Sequence, residues 1–348
     1  MLARTWEYGK QESHETIWTV NIKSLVKTKN GRTPLDPNNH NTLSSSTETL
    51  IVLPQGRGMC KNLVEKGSLT SPLILYNRTP KRANDLSATL PEGQTKPVST
   101  ISDAITASTL IFTCLGDDAA VKETITTALQ STNVQGKLFV DCSTIHPDTT
   151  NALAKQITDA RAGFVAMPVF GAPAMADSGQ LVCVAAGPSE LIDRVRPYTT
   201  GVMGRAIIDL SNQEPGKATL LKVIGNTFIL NMVESLSEGL VLSEKTGLGT
   251  EALQQFVDIM FPGPYSAYAT RMRTGDYHKR AEPLFAVDLA RKDARHAMAL
   301  AEKSGCRMRD VEVADKHLEQ VKAHMGVRGD IAGIYGAVRA EGGLKFEN

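Results

Sequence analysis

Short apolar runs alternate with polar stretches of helical period between residues 48 and 212. Apolar residues in those stretches recur three and four positions apart, which is typical of amphipathic helices. Buried strands interleaved with helices predict βαβ units and a mainly parallel, doubly wound sheet. The predicted strands are Thr49–Leu53, Leu73–Tyr76, Thr109–Leu115, Lys137–Asp141, Gly163–Val169, Leu181–Ala186 and Arg205–Leu210. The predicted helices among them are Met59–Glu65, Pro80–Leu90 and Ala119–Gln130.

The pattern changes to nearly all helix after the turn-rich segment Ser211–Gly216. Lys217–Thr246 contains no proline and is followed by Gly247, a common helix stop. Thirty helical residues span roughly 45 Å, so this helix should join two domains or build a dimer interface. Shorter helices are predicted at about 250–261, 286–303, 309–325 and 330–341. We therefore expect an α/β domain over residues 48–212 and an all-α domain over residues 213–345.

Residues 1–47 differ from the rest of the chain. Turn-forming residues fill positions 30–41, four serines and threonines follow at 44–47, and neither a helical nor a strand period runs through the segment. We expect a mostly disordered tail.

Composition and charge exclude several classes of function. The 348 residues carry 38 Lys+Arg and 37 Asp+Glu, which removes the electrostatic case for nucleic acid or an anionic membrane. No apolar stretch approaches 18 residues, so no membrane span is expected. Five scattered cysteines and an amino terminus without an apolar leader favour a reducing, cytoplasmic location. The seven histidines show no ligand spacing, and we expect no metal site.

Two turns could hold a dinucleotide. Gly56 and Gly58 follow the first predicted strand, where glycines would let a pyrophosphate approach a helix N-terminus, although Gly-x-Gly also occurs in ordinary turns. Asn77, Arg78 and Thr79 come about twenty residues after Gly56, at the ribose-recognising position. An amide, a guanidinium and a hydroxyl suit a 2′-phosphate, so NADP is favoured over NAD; the alternative is a solvated turn.

Two further strand ends could present polar groups to the same cleft. Ser143 and Thr144 follow one strand, and Gly171 follows another. Each could equally be a helix cap or a plain turn. Together they would place hydroxyls and backbone N–H groups where a carboxylate-bearing substrate could bind.

Lys222 and Asn226 lie four residues apart on the long helix, and therefore on one face. Apolar neighbours surround Lys222, which indicates burial, unless its amine extends to solvent. Burial lowers the pKa of an ammonium group and readies it to donate a proton.

From about Gly56 to Phe346 the chain resembles the β-hydroxyacid dehydrogenases. The likeness is greatest to 3-hydroxyisobutyrate dehydrogenases and glyoxylate/succinic semialdehyde reductases, with an NADP-binding domain of the 6-phosphogluconate dehydrogenase type. It rests on seven ordered motifs: Gly56–Leu63, Asn77–Thr79, Asp141–Thr144, Pro168–Gly171, Lys222–Asn226, Phe285–Asp293 and Asp330–Gly336.

The resemblance implies a Rossmann-type domain, a long connecting helix and an all-α domain that forms a homodimer or homotetramer. It implies an oxidoreductase that moves hydride between NADP, or NAD, and a small hydroxyacid or aldehyde. Lys222 would then be the catalytic acid/base. The residues implied to bind substrate are Ser143, Gly171 and Asn226. Those implied to bind cofactor are Gly56, Asn77, Arg78, Thr79, Leu115, Gly116, Thr144 and Lys292.

Two departures from the family pattern bear on these roles. The family's first turn has the pattern Gly-x-Gly-x-x-Gly. Ile51 and Leu53 stand at its first two glycine positions, and only the third glycine position is matched, by Gly56. We therefore expect the first strand and its glycine-rich turn to be incomplete. Phe170 and Ala172 replace a Ser and a Gly that the dehydrogenases often carry, which favours a bulkier or different substrate.

Two other hypotheses remain. The broken glycine turn is compatible with a catalytically impaired paralogue that serves as a binding or dimerisation module. The same chemistry could also belong to a tailoring reductase of specialised metabolism.

Overall fold

The computed structural model of the chain describes residues 16–20 and 54–348. Its strands are β1 (Thr16–Val20), β2 (Leu73–Asn77), β3 (Thr95–Val98), β4 (Leu110–Thr113), β5 (Leu138–Asp141), β6 (Gly163–Ala166), β7 (Val169–Phe170), β8 (Leu181–Gly187) and β9 (Gly204–Ser211). They form one sheet in the order β3-β2-β1-β4-β5-β6-β8-β7, with β9 paired to β8.

Helices cover both the α/β part and the whole carboxyl-terminal part of the described chain. In order they are α1 (Pro54–Lys66), α2 (Pro80–Ala88), α3 (Ile101–Thr106), α4 (Asp118–Ser131), α5 (Pro147–Asp159), α6 (Pro173–Asp177), α7 (Ser189–Val195), α8 (Gly216–Lys245), α9 (Thr250–Met260), α10 (Pro264–Arg273), α11 (Asp276–Lys279), α12 (Val287–Lys303), α13 (Arg309–Met325) and α14 (Ile334–Glu341). Short 3₁₀ helices cover Arg196–Tyr198, Gly326–Arg328 and Ile331–Gly333.

The strand order of the first six strands is that of a doubly wound dinucleotide-binding sheet, and an all-α domain follows. The Rossmann-type fold expected from the sequence is therefore confirmed. The sheet is mixed rather than parallel throughout. Strands β2–β3, β4–β5–β6 and β8–β9 pair in parallel, whereas β8 runs antiparallel to β6 and β7. Strand β1 is antiparallel to both of its neighbours, β2 and β4. Thr16, at the start of β1, lies opposite Asn77, at the carboxyl end of β2.

The centre of the sheet forms because β4 and β5 are apolar on both faces. All four residues of each strand are buried, as expected where helices cover both sides of a parallel sheet. Helix α4 starts after β4 because the Asp117 side chain accepts a hydrogen bond of 2.8 Å from the Ala120 backbone N–H. Pro147 occupies the first turn of α5, where its missing N–H costs nothing. The first turns of α4 and α5 thereby fix the conformation of the loops at the carboxyl edge of the sheet.

Helix α8 connects two hydrophobic cores. Ala218 belongs to the core of the sheet, whereas Leu230 and Val241 belong to that of the helical domain. Thr150 and Thr219 join α5 to α8 through hydroxyl oxygens 2.9 Å apart. A division of the chain between residues 212 and 213 stays a prediction. None of the described helices is at once long and apolar enough to cross a membrane.

The amino-terminal region differs from expectation where the structure describes it. Residues 16–20 form a strand within the sheet, inside the tail that was expected to be mostly disordered over 1–47; their β-branched residues suit a strand. The rest of that tail and the strand expected at Thr49–Leu53 lie outside the described residues. Gly56 and Gly58 lie inside α1, not in a turn before it. Strand β3 was missed because Thr95–Val98 alternates only weakly and contains a proline.

Gly58 lets helix α1 pack closely on the segment around α6. A Cβ atom at position 58 would lie 2.4 Å from both the Ala176 carbonyl carbon and the Asp177 backbone nitrogen. Nearby, the Asn62 side chain donates a hydrogen bond of 2.8 Å to the Ala176 carbonyl oxygen. Helix and segment can approach this closely only because residue 58 has no side chain.

Replacing Gly58 by alanine should lower the free energy of unfolding by about 2–3 kcal/mol, because the added methyl group meets backbone atoms that cannot rotate away. Urea denaturation measures the change. Gly239→Ala in α8 is the matched control. Its Cβ would meet only the Leu253 Cδ2 atom at 3.4 Å, so this variant should be as stable as the parent or up to about 1 kcal/mol more stable. Equal stability of the two variants would contradict the packing argument.

Candidate active site

A buried carboxyl group organises the ends of strands β4 and β5. Asp141 Oδ1 accepts hydrogen bonds from the hydroxyl groups of Thr113, at 2.6 Å, and Ser143, at 2.7 Å. Burial raises the pKa of Asp141, and these hydrogen bonds offset the rise only in part. The Ser143 oxygen also accepts a hydrogen bond of 2.8 Å from the Leu115 backbone N–H. These hydrogen bonds connect the turn after β4 to the turn after β5.

This geometry limits what Ser143 can offer a substrate. Its hydroxyl proton is directed to Asp141, and Ser143 itself is 1% exposed. Binding a carboxylate would require that proton to leave the Asp141 oxygen. As the structure stands, Ser143 positions the β4 and β5 turns.

Lys222 lies at the start of a continuous polar chain. Its Nζ atom donates a hydrogen bond of 2.9 Å to Asn226 Oδ1, and Asn226 Nδ2 donates one of 2.6 Å to Asp293 Oδ2. Lys292 Nζ forms an ion pair of 2.9 Å with Asp293 Oδ1 and donates to the Thr144 carbonyl oxygen. The chain links α8 and α12 of the helical domain to the end of β5.

Burial lowers the pKa of Lys222 to about 8. The charge of Asp293 opposes this shift, while that of Lys292 adds to it. Lys222 is only 8% exposed, so the interpretation that its amine extends to solvent is wrong. A side chain with this pKa can donate a proton as the ammonium and accept one as the neutral amine near neutrality.

Phe170 covers one side of the Lys222 amine. Nζ lies 4.3 Å from the centre of the Phe170 ring, within the range of a cation–π contact. The ring fits against α8 because residue 225 is glycine: a Cβ there would lie 2.4 Å from Phe170 Cζ. The aromatic side chain therefore forms a wall of the cleft beside the lysine.

Gly171 continues this wall. Its φ of +143° is open mainly to glycine, and a Cβ would lie 2.6 Å from Leu181 Cδ2 and 3.1 Å from Met175 Cβ. The strand-end turn is therefore possible only without a side chain, and apolar groups flank it.

Six of the eight residues expected to bind cofactor lie at the carboxyl ends of β2, β4 and β5; Gly56 lies in α1 and Lys292 in α12. Asn77 is buried and its Oδ1 accepts a hydrogen bond of 2.7 Å from the Thr79 backbone N–H, while Arg78 and Thr79 are exposed. Leu115 is buried and Gly116 half-buried. A Cβ on Gly116 would meet nothing closer than Leu289 Cδ2, at 3.7 Å, which leaves this backbone open to a ligand.

These positions fit the two ends of a nicotinamide dinucleotide in the described part of the cleft. Gly116, Thr144 and Lys292 lie on the side of Lys222, and the Asn77–Thr79 turn lies two strands away across β1. Gly56 is buried in the first turn of α1, where the chain could meet a pyrophosphate. The segment from 21 to 53, where the preceding turn would lie, is outside the described residues.

Asp293 and Asp141 were not among the residues expected to serve the site. Asp293 connects Asn226 to Lys292, and Asp141 connects the turns after β4 and β5. Each stands at one end of a motif that supports the resemblance, Phe285–Asp293 or Asp141–Thr144, but the groups that they contact could be known only from the packing of strands and helices. Within residues 54–348 the structure shows no group of three His, Cys, Asp or Glu side chains that could hold a metal ion.

Comparison with known proteins gives the family of this chain. The NAD-binding domain of 6-phosphogluconate dehydrogenase matches residues 55–211, and the NAD-binding domain of NADP-dependent 3-hydroxyisobutyrate dehydrogenase matches residues 216–338. The NADH-dependent oxidoreductase ucdB of Aspergillus ustus is 38% identical over 292 residues, which cover 84% of this chain and 98% of that relative. The chain belongs to the β-hydroxyacid dehydrogenase family.

Several proteins of lower identity also resemble this chain. Glyoxylate/succinic semialdehyde reductase 1 of Arabidopsis thaliana is 26% identical over 77% of this chain and 89% of its own length. The fold of 3-hydroxyisobutyrate dehydrogenase from Salmonella typhimurium matches with a TM-score of 0.71, at 16% identity, over 81% of this chain and 95% of that one. Psf3, solved with NADP+ and 2-OPP, matches with a TM-score of 0.70 at 20% identity, over 81% of this chain and 96% of that one. The match of the family's first domain begins at residue 55, after the positions of Ile51 and Leu53.

Proposed function

We propose that this family member is an NADP-dependent oxidoreductase that interconverts a carbonyl and a hydroxyl group on a small hydroxyacid- or aldehyde-type substrate. Lys222 is the general acid/base. The observation that carries the proposal is the buried Lys222 amine, hydrogen-bonded to Asn226 and 4.3 Å from the centre of the Phe170 ring.

The chain's own residues handle the proton. The nicotinamide, when bound, supplies or accepts the hydride. In reduction the Lys222 ammonium donates its proton to the oxygen of the developing alkoxide, and in oxidation the neutral amine removes that proton. Asn226 holds the amine through its Oδ1 atom, and Asp293 orients the Asn226 amide. Burial keeps water from competing for the same proton.

The cofactor preference rests on the exposed Arg78 guanidinium at the carboxyl end of β2. Its position beside Asn77 suits a 2′-phosphate, so NADP is preferred to NAD. The ucdB relative is described as NADH-dependent, so a preference for NADH over NADPH is the alternative outcome of the test below.

A homodimer is the proposed assembly, with helix α9 in its interface. This helix buries Val257 on one face and exposes a second apolar stripe: Phe256 is 51% exposed, Ile259 78% and Met260 58%. Phe261 and Tyr265 extend the stripe, with ring centroids 5.3 Å apart. A second copy of the chain would cover such a stripe across a twofold axis.

Four of the five cysteines are buried thiols, which supports a cytoplasmic location.

Lys222→Ala should lower kcat by about 10²–10⁴, because the alkoxide loses its proton donor. In the parent enzyme, kcat for reduction should fall as the pH rises through about 8, since only the ammonium donates, whereas kcat for oxidation should rise. Steady-state rates from pH 6 to 10 measure both. Lys217→Ala, an exposed residue on the same helix, should leave rate and pH profile unchanged. A Lys222→Ala enzyme of normal turnover would end the proposed role.

Arg78→Ala should weaken NADPH binding about tenfold or more and change NADH binding less than twofold, because only NADPH offers a phosphate to the guanidinium. Fluorescence titration of the purified chain measures both dissociation constants. Lys81→Ala, which removes an exposed cation paired with Asp85, is the control. If the parent binds NADH more tightly than NADPH, the proposed preference for NADP is wrong. Failure of the parent to bind either nucleotide would favour the binding-module hypothesis.

The double variant Phe256→Glu/Ile259→Glu should shift the chain from dimer to monomer, because two carboxylates cannot be buried against an apolar stripe. Sedimentation velocity at micromolar concentration gives the mass, and circular dichroism checks the fold. Val313→Glu, on an exposed face of α13, should stay dimeric. A monomeric parent would refute the assembly.

A further inference from the structure

A second polar contact joins the helical domain to the sheet domain, apart from the chain that begins at Lys222. Asp118, the first residue of α4, comes two residues after Gly116 in the turn that follows β4. Its Oδ2 atom lies 2.9 Å from Nε2 of His296 on α12. Each of the two side chains is about one-fifth exposed. The contact is therefore largely shielded from water, where a hydrogen bond to a charged group is stronger than on an open surface.

The same carboxylate also binds the turn after β5. Asp118 Oδ1 accepts a hydrogen bond of 3.0 Å from the backbone N–H of His146, whose ring meets that of His296 edge to face, with centroids 5.4 Å apart. Burial raises the pKa of Asp118, but hydrogen bonds from His296, Thr149 and the His146 N–H outweigh burial and hold it well below its usual range. Asp118 is thus an anion near neutrality, and His296 Nε2 donates to it. One side chain contacts the turn after β4, the turn after β5 and α12.

These three elements carry the residues proposed for the nicotinamide end of the cofactor. Gly116 lies in the turn after β4, Thr144 in the turn after β5 and Lys292 on α12. Lys292 and His296 are four residues apart on α12, and therefore on one face. Lys292 donates to the Thr144 carbonyl oxygen, and His296 donates to Asp118 one helical turn further on. Helix α12 is therefore held against both turns at two successive points.

We infer that Asp118 and His296 are positioning residues that hold the nicotinamide end of the cofactor site in its binding arrangement. The inference rests on the proposed function, because it takes Gly116, Thr144 and Lys292 as contacts of the cofactor. A ligand that spans three elements binds more weakly when they must first be brought together, since the cost of ordering them is subtracted from the free energy of binding.

Calorimetry of the purified chain with NADPH and with 2′,5′-ADP tests the inference. The smaller ligand carries only the phosphate-bearing adenosine half, so it reports on the Asn77–Thr79 turn after β2, two strands away from β4. His296→Leu removes the donor to Asp118. This variant should weaken NADPH binding about fivefold or more and change 2′,5′-ADP binding less than about twofold. For an enzyme that prefers NADH, NADH and 5′-ADP are the corresponding pair.

Three further variants separate positioning from general destabilisation. His296→Gln can still donate an amide N–H to Asp118 and should recover most of the NADPH affinity. The double variant Asp118→Ala/His296→Leu should bind NADPH no more weakly than Asp118→Ala alone, because the two residues act through one contact. Lys303→Ala is the matched control: Lys303 joins the same helix to Asp148 of α5 at 3.0 Å, but both side chains are about two-thirds exposed. It should leave both dissociation constants unchanged.

Unchanged NADPH binding by His296→Leu would overturn the inference, and so would an equal loss of affinity for NADPH and 2′,5′-ADP. A parent chain that binds neither ligand would overturn the inference and the proposed function together. Normal turnover by Lys222→Ala would refute the proposed function alone, because the binding comparison does not involve the proton donor.

Discussion

The burial of one ammonium group constrains the rest of this cleft. Lys222 can be held in a largely apolar setting only because Asn226 Oδ1 accepts a hydrogen bond from its amine and the nearby Asp293 carboxylate, bound to the same amide, balances its charge. Asp293 in turn needs Lys292, whose amine reaches the Thr144 carbonyl oxygen on the sheet domain. The polar chain that permits the buried amine is therefore also a connection between the two domains.

The aromatic wall beside the lysine results from two positions that are complementary. Phe170 at the end of β7 can lie over the amine only because residue 225 of α8 lacks a side chain. Its quadrupole partly replaces the hydration that the ammonium loses on burial. One contact therefore stabilises the buried ammonium and also fixes the position of the ring beside it.

The phosphate-binding edge of the sheet departs further from the rest of the family. In a doubly wound sheet, the first strand runs toward the carboxyl edge and delivers the chain directly to the first helix. Here β1 runs the other way, and α1 begins at Pro54 with Gly56 and Gly58 already helical. Strand β1 still lies between β2 and β4, so the carboxyl ends of β2, β4 and β5 remain at one edge of the sheet.

Local patterning in the sequence was sufficient for much of the fold. The strands β2, β4, β5 and β8, the long helix α8, and the i, i+4 pairing of Lys222 with Asn226 all follow from apolar runs and helical period, which act over a few residues. Strand direction at β1, the pairing of Asp293 with Asn226 and the commitment of the Ser143 proton to Asp141 were decided only by tertiary structure. Each joins residues distant in the chain, and no local periodicity encodes which distant groups will share a proton or a buried charge.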